Sequence, residues 1–142
     1  MKVEQISIFL ENKAGRLAEV TSILSEAGIN IKALALADTS EFGILRLIVD
    51  KHEAAQAALK GKGFTVGLTS VVAVEVSHAP GGLNTILKIL DKRGINVEYM
   101  YGFPCKSNEA VMVFRFDRTE LATEILQQEG VRIFSTEDIC AI

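Results

Sequence analysis

The chain has 142 residues, of which 49% are hydrophobic and 23% are charged, and its formal net charge is −3. This balance is typical of a soluble globular protein, and the length predicts one or two small domains. Basic and acidic residues are mixed along the sequence without a basic stripe, which argues against nucleic acid or an anionic membrane as the main partner.

The first half of the chain predicts a strand, a helix, two strands, a helix and a strand. Apolar residues alternate over residues 3–10 and then recur every three or four positions over residues 15–27, which indicates a strand and an amphipathic helix. A hairpin signal, Asp38-Thr39-Ser40-Glu41, separates the next two strands. The second helix follows Asp50, which with Glu53 resembles a capping box. The remaining predicted strands are 29–37, 42–49 and 64–68.

The second half of the chain repeats this order. Its first helix begins near Leu83, and its second follows Asp117, which with Glu120 repeats the capping pattern. A hairpin is predicted from Pro104 to Glu109. Residues 135–142 fit a turn or a short additional strand, and the sequence does not decide between them. The predicted strands are 71–76, 95–103, 110–116 and 131–134.

One segment around a glycine occurs twice, 66 residues apart. The first copy is Asn12-Lys13-Ala14-Gly15-Arg16-Leu17, followed later by Gly28-Ile29-Asn30-Ile31. The second copy is His78-Ala79-Pro80-Gly81-Gly82-Leu83, followed later by Gly94-Ile95-Asn96-Val97. A repeat in this register predicts a duplicated domain, and we place the two domains at residues 1–69 and 70–142.

Each copy of this segment connects a strand to a helix, and its chemistry suits a small anion. Glycine at position 15 or 81 permits a tight or left-handed backbone and allows a ligand to approach the main chain. The first N–H groups of a helix lack acceptors within the helix and carry a partial positive charge, so they can receive a carboxylate or phosphate. A turn that needs glycine for its geometry alone would have the same sequence.

These two segments resemble the ACT domain, a small regulatory module that binds ligands. The similarity rests on Asn12-x-x-Gly15-x-Leu17 and Pro80-Gly81-x-Leu83, each with its later Gly-Ile-Asn. The first copy has Ala14 where the family often has proline, and the second has His78 where the family usually has Asp or Asn. The resemblance implies a tandem ACT protein without a catalytic domain, which binds a small molecule, with an amino acid as the expected ligand, in a regulatory or sensing role.

The order of elements predicts an α+β protein made of two ferredoxin-like βαββαβ units. In each unit, two helices would cover one face of a four-stranded antiparallel sheet. The second strand of each unit lies at an edge and is apolar, which favours aggregation unless the strand is paired. We therefore expect the units to join edge to edge, as ACT modules do, within one chain or between the chains of a homo-oligomer.

The expected ligand site lies where the loop of one unit meets the second strand of the other. Backbone N–H groups of the loops would receive the ligand carboxylate, and asparagines would receive its ammonium or other polar groups. Binding would change the relative orientation of the units, and a partner protein would transmit the output. The candidate residues are Asn12, Gly15, Arg16, Leu17, Asn30, His78, Gly81, Gly82, Leu83 and Asn96.

Other kinds of chemistry have weaker support in the sequence. His52 and His78 have no evident nucleophile, carboxylate or metal-ligand partner, and there is no phosphate-loop or dinucleotide motif. The two cysteines, Cys105 and Cys140, form neither a disulfide framework nor a ligand set. We therefore predict no enzyme activity, no cofactor and no metal. The alternatives are an interaction module with a vestigial ligand site and a small enzyme that uses His78.

The sequence also bears on location. The N-terminal residues lack the hydrophobic core of a signal peptide, and the longest uncharged run is too short to cross a bilayer. We therefore expect a cytoplasmic protein without a membrane partner.

Overall fold

The structure, a computed structural model, describes residues 2–38, 41–106 and 108–142, except the side chain of Lys106. Contacts between residues divide the chain into two compact units. The first unit is Glu4–Thr69, and the second contains residues 2–3 and Ser70–Ile142. The domain limits of 1–69 and 70–142 stay a prediction.

The first unit contains three complete strands, two helices and the beginning of a fourth strand. The central strand β3 pairs with both β1 and β2 in antiparallel ladders, which place Ile8 opposite Leu45 and Leu34 opposite Leu47. With β4 beside β1, the strand order is β4-β1-β3-β2. The elements are β1 (Val3–Glu11), α1 (Arg16–Glu26), β2 (Ile31–Asp38), β3 (Phe42–Val49), α2 (His52–Gly61) and β4 (Thr65–Ser77).

The second unit repeats this topology with the later residues of β4 as its first strand. Antiparallel pairing of β4 with β6 and β7, and of β6 with β5, gives the order β7-β4-β6-β5. Both units therefore have the predicted ferredoxin-like arrangement, which confirms the fold class. Edge-to-edge joining of units stays a prediction. The elements are α3 (Gly82–Lys92), β5 (Val97–Lys106), β6 (Glu109–Phe116), α4 (Thr119–Gln128), β7 (Ile133–Phe134) and α5 (Thr136–Cys140).

Each unit has its own hydrophobic core between its helices and one face of its sheet. In the first unit, alternate residues of β1 meet residues of the two helices that recur at helical spacing. The second unit repeats this packing and adds a stacked pair of phenylalanine rings, Phe114 and Phe116, with centroids 5.1 Å apart. Fully burying one such side chain contributes about 1.5–3 kcal/mol, so these clusters dominate the stability of each unit. The fully buried residues at their centres include Ile6, Ile8, Leu24, Leu45, Leu59, Leu90 and Leu126.

Strand β4 differs from the sequence prediction, which ended one strand at Leu68 and began another at Val71. The structure has a single strand, Thr65–Ser77. Its β-branched residues favour extended backbone, and Gly67 lacks the positive φ that would mark a turn. The prediction of two separate strands was therefore wrong.

The C-terminal residues form a helix, so the expectation of a turn or strand was wrong. Helix α5 begins with a capping box: the hydroxyl of Ser135 accepts from the N–H of Asp138 (3.1 Å), and the carboxylate of Asp138 accepts from the N–H of Ser135 (2.9 Å). Hydrogen bonds from Ser135 to this carboxylate, chiefly the one from its backbone N–H, hold the pKa of Asp138 below its ordinary value. Ile139 is buried and anchors the helix.

Two further predictions concerned hairpins and membranes. In the first hairpin signal, residues 39 and 40 lie outside the described residues. In the second unit, β5 runs to Lys106, three residues beyond its predicted end, so the hairpin is shorter than expected.

None of the helices in the described residues has the length and apolar character that a membrane crossing requires.

Candidate functional site

The two glycine loops have the same backbone conformation. Gly15 directly precedes α1 with a φ of 90°, and Gly81 directly precedes α3 with a φ of 88°. A Cβ atom at either glycine would have no neighbour within 4 Å. Glycine is therefore required by the left-handed backbone and not by crowding, and the main chain remains open to an approaching molecule.

Hydrogen bonds attach each loop to the hairpin of its own unit. The N–H of Asn12 donates to the carbonyl oxygen of Glu41 (2.8 Å), and the N–H of His78 donates to that of Asn108 (2.9 Å). Because the same bond occurs at equivalent positions, the loop and the hairpin end form one local structure in each unit.

One N–H group that was expected to bind a carboxylate is already used within the loop. The N–H of Arg16 donates to the carbonyl oxygen of Lys13 (3.4 Å), and that of Gly82 donates to Ala79 (3.0 Å). The next N–H groups, those of Leu17 and Leu83, lie in a first helical turn, where the helix offers no acceptor. These later groups are the better candidates for a ligand.

The side chain of Arg16, at the end of the first loop, is held by its neighbours. Its guanidinium donates to Oε1 of Glu11 and to Oε2 of Glu19, each at 2.9 Å, and lies 5.4 Å from the ring centre of Phe64. Hydrogen bonds from Lys13 and then Arg16 hold the pKa of Glu11 below its ordinary value. The guanidinium of Arg16 is thus held by protein carboxylates, just as its backbone N–H is held by the carbonyl oxygen of Lys13.

The second loop has no equivalent of this cluster, because Gly82 occupies the position of Arg16. A Cβ atom at Gly82 would lie 2.0 Å from the carbonyl oxygen of Ser77, so the backbone packs directly against the end of β4. His78 and Pro80 are exposed on this loop. The second loop therefore lacks the charged cluster that surrounds Arg16 in the first.

The two asparagines lie at the far end of the first helix of their units. The N–H of Asn30 donates to Oδ1 of Asp50 (3.0 Å), and the N–H of Asp50 donates back to the carbonyl oxygen of Asn30 (3.2 Å). Asn96 and Asp117 form the same pair of bonds at 3.1 and 3.2 Å. Both asparagines are thereby fixed at the backbone, while each residue remains exposed.

These bonds correct the predicted capping boxes. The N-cap residues of α2 and α4 are Lys51 and Arg118, and neither makes a side-chain capping bond. Asp50 and Asp117 lie one position too early to cap the helix, and their carboxylates bind the chain that enters β2 or β5 instead. Lys51 and Arg118 add a bond to the carbonyl oxygens of Gly28 and Gly94.

The structure brings the loop residues together but separates them from the asparagine of the same unit. Helix α1 has 11 residues, and at 1.5 Å per residue its ends are about 16 Å apart. Asn12, Gly15, Arg16 and Leu17 lie at one end, and Asn30 lies at the other. The second unit divides in the same way, with His78, Gly81, Gly82 and Leu83 apart from Asn96.

A cavity lies at each end of the first unit. The cavity beside the loop has a volume of about 620 Å³ and is lined by Glu11, Asn12, Lys13, Glu41 and Phe42. Sequence reasoning missed Lys13, Glu41 and Phe42, although the split topology places the hairpin end beside the loop. The cavity beside Asn30, of about 370 Å³, is lined mainly by the end of α1 and the start of β2.

Metal-binding groups do not cluster in the described residues: no three His, Cys, Asp or Glu side chains are placed to hold one ion. Cys105 and Cys140 are free thiols.

The family follows from a comparison of the whole sequence. The sequence model of the ACT domain pair matches residues 1–142. This chain belongs to the ACT domain pair family. Among curated proteins, no relative matches the sequence.

Solved structures agree with this assignment. Protein BT0572 from Bacteroides thetaiotaomicron is 39% identical, with a TM-score of 0.95 over 100% of this ACT domain pair and 98% of that chain. The ligand-free regulatory subunit of aspartate kinase from Thermus thermophilus is 18% identical, with a TM-score of 0.63 over 88% and 91% of the two chains. A structure of aspartokinase alpha and beta subunits is 15% identical, with a TM-score of 0.60 over 88% and 90%. The last two similarities show the fold.

Proposed function

We propose that this ACT domain pair is a cytoplasmic regulatory protein that binds a small molecule, an amino acid, at its glycine loops. The observation that carries the proposal is the open left-handed glycine before each first helix, at Gly15 and Gly81. Family membership supports a regulatory ligand-binding role. In this proposal, a protein partner carries the output.

The loop chemistry supports a carboxylate as the recognised group. Hydrogen bonds from N–H groups to a charged acceptor contribute about 1.5–3 kcal/mol each. The start of a helix adds about 0.3–1 kcal/mol. At the first loop, the N–H of Leu17 would make such a bond, and the amide of Asn12 offers both a donor and an acceptor to a zwitterion. We therefore expect the first loop to bind an amino acid more tightly than the second.

A complete site needs a second unit, because each asparagine lies about one helix length from its own loop. In each unit the second strand starts beside the asparagine and ends beside the hairpin that holds the loop. If two such strands pair in antiparallel orientation, the start of one comes next to the end of the other. The asparagine of one unit then meets the loop of another.

Exposed apolar residues on the outer strand support this pairing. Leu34 and Leu36 of β2 are 54% and 51% exposed. An exposed apolar edge strand of this kind is normally covered in a stable protein. The pairing would make the protein a homo-oligomer, and ligand binding across the junction between chains would favour one arrangement of the paired units.

Calorimetric titration with single amino acids tests the proposal. Gly15→Val should weaken binding at least about tenfold, because a side chain there strains the left-handed backbone and blocks the approach. The matched control is Gly63→Val, which changes a glycine with a φ of 89° and equally open surroundings but lies after α2, outside the loops. The proposal fails if no amino acid binds, or if folded Gly15→Val binds as tightly as Gly63→Val.

A role as an interaction module is the second candidate, and one surface of the first unit favours it. Phe9 and Phe42 are 56% and 54% exposed on the sheet face opposite the helices, beside a cavity of about 250 Å³ that Ile44 and Ala37 also line. Clustered exposed aromatic residues of this kind mark interaction surfaces. Phe9→Ser should then reduce association with a protein partner while amino-acid binding is unchanged.

A further inference from the structure

A cavity of about 540 Å³ in the second unit is rich in basic side chains. It lies beside the start of α4, and its volume falls within the usual range for small-molecule sites. Its polar lining includes Lys2, Ser70, Arg115, Arg118, Thr119 and Glu120.

The three cations of this cavity are only partly compensated by their neighbours. Arg115 contacts Glu98 and the hydroxyl of Thr119, each at 3.4 Å, which is longer than a typical charge-assisted bond. Arg118 donates to a neutral acceptor, the carbonyl oxygen of Gly94, at 2.7 Å. Each guanidinium has five N–H donors, so both retain capacity for a further acceptor.

Both carboxylates of the lining already have partners, one of them within the lining itself. Asp117 accepts the N–H of Asn96, as described above. Glu120 pairs with Lys2, and this bond lowers the pKa of Glu120, but the Glu120 side chain is 84% exposed to solvent. With Lys2, Arg115 and Arg118 against Asp117 and Glu120, the lining carries one net positive charge.

We propose that this cavity binds a small dianion, either a phosphomonoester or a dicarboxylate. Two guanidinium groups match the paired oxygens of either group, and the ammonium of Lys2 adds a third positive charge. The hydroxyls of Ser70 and Thr119 lie in the same lining and supply uncharged donors.

This site is distinct from the glycine loop of the same unit. Arg118 bonds to Gly94, just after the end of α3, whereas Gly81 lies before its start. Helix α3 has 11 residues, so about 16 Å separates the two places. The proposal therefore does not depend on amino-acid binding at the loops.

The first unit lacks the same set of charges. After the hairpin, equivalent residues are 67 positions apart, so Ile48 occupies the position of Arg115, and His52 occupies that of Thr119. Only Arg118 has a basic equivalent, Lys51. We infer one dianion site per chain, a feature that duplication alone does not produce.

Titration followed by NMR of arginine Nε–H groups tests the proposal on the full chain. The probes are glycerol 3-phosphate, succinate and uncharged glycerol, at low salt. Saturable shifts of Arg115 and Arg118 with either dianion, and none with glycerol, are expected. Tighter binding of glycerol 3-phosphate identifies a phosphate site, and tighter binding of succinate identifies a dicarboxylate site.

Variants distinguish dianion binding at a defined site from general electrostatic attraction of anions to the protein. Arg115→Gln and Lys2→Gln should each weaken dianion binding at least about tenfold, and Arg115→Lys should retain part of it. The control Lys88→Gln removes the same charge from an exposed position of α3 and should bind like the wild type. The proposal is overturned if neither dianion gives saturable shifts, or if Lys88→Gln weakens binding as much as Lys2→Gln.

Discussion

The two glycine loops lie at equivalent points of the two units, yet their surroundings differ. Both have a left-handed glycine, a bond to the hairpin and an asparagine fixed by an aspartate. In the first loop, Arg16 bonds to two carboxylates, whereas Gly82 in the second loop packs on the carbonyl of Ser77. Duplication has kept the backbone geometry and changed the side chains that a ligand would meet.

The sheet faces opposite the helices differ in the same way. In the first unit, Phe9 and Phe42 are exposed on this face. In the second unit, four apolar residues on this face of β4 and β6 are buried: Val71, Ala73, Val111 and Val113. Phe134 lies opposite Ala73 shortly before α5, a helix with no counterpart among the described residues of the first unit.

The largest effect is expected from the helix that only the second unit has. Ile139 is 2% exposed, and Ile139→Ala should lower the free energy of unfolding by about 3 kcal/mol through the lost burial and the cavity left behind. Ile142, in the same tail, is 45% exposed, so Ile142→Ala should change stability by less than about 0.5 kcal/mol. Chemical denaturation measures both. Equal effects of the two variants would show that α5 is not packed.

A methyl group at Gly82 should have the next largest effect. Gly82→Ala places a Cβ atom against a backbone carbonyl that cannot move freely, and we expect a loss of about 2 kcal/mol. At the equivalent position of the first loop, Arg16→Ala removes partly exposed ion pairs and a contact with the Phe64 ring, and it should cost about 1 kcal/mol. Thermal unfolding of both variants compares the loops directly. If Gly82→Ala left the stability unchanged, the two loops would tolerate the same residues at this position.

Substitution of the two aspartates that bind the asparagine backbone should lower the free energy of unfolding by similar amounts. Asp50→Ala and Asp117→Ala each remove a carboxylate that accepts a backbone N–H, with an expected loss of about 1.5 kcal/mol in each case. Urea denaturation gives the two values. A difference of more than about 1 kcal/mol would show that the two bonds, although equivalent in geometry, are not equivalent in energy.

The smallest expected effect is a pH dependence confined to the first loop. The folded pKa of Glu11 is lowered, so its contribution to stability is present above the ordinary glutamate pKa and is lost as the pH falls through the folded value. Backbone amide signals of residues 12–17 should move in that acidic window, and the movement should disappear in Glu11→Gln. If these amide signals still moved with pH in Glu11→Gln, a titratable group other than Glu11 would be responsible.

Most of the fold was readable from periodicity, because alternating residues such as Ile6 and Ile8 and helical spacings such as Val20 to Leu24 correspond to single cores. The limits of β4 and the helix at the C-terminus were not predicted in this way. The strand β4 continues where the sequence suggested a break, and Ser135 with Asp138 is a capping box that could have been recognised. Asp50 and Asp117 match a capping pattern, but each carboxylate accepts the N–H of an asparagine that is distant in the sequence. The local sequence cannot reveal such a bond.

The candidate site was predictable only within each loop. Gly15 and Leu17 are close in sequence, so their proximity needed no tertiary information. The distance from Asn30 to its loop depends on helix length and direction, and the residues around the cationic cavity come from both ends of the chain. Lys2, Ser70 and Arg115 have no spacing that a sequence pattern could detect.

The left-handed glycines have a consequence for how natural variation in this family should be interpreted. Gly15 and Gly63 share the same φ and the same open surroundings, but only Gly15 belongs to a glycine loop. Backbone strain alone would exclude other residues equally at both positions. Invariance of Gly15 among relatives would therefore be no sign of ligand binding by itself. If fewer residue types occurred at Gly15 than at Gly63 among relatives, the difference would measure selection for ligand binding. If both positions allowed the same residue types, the loop would be maintained only as a turn.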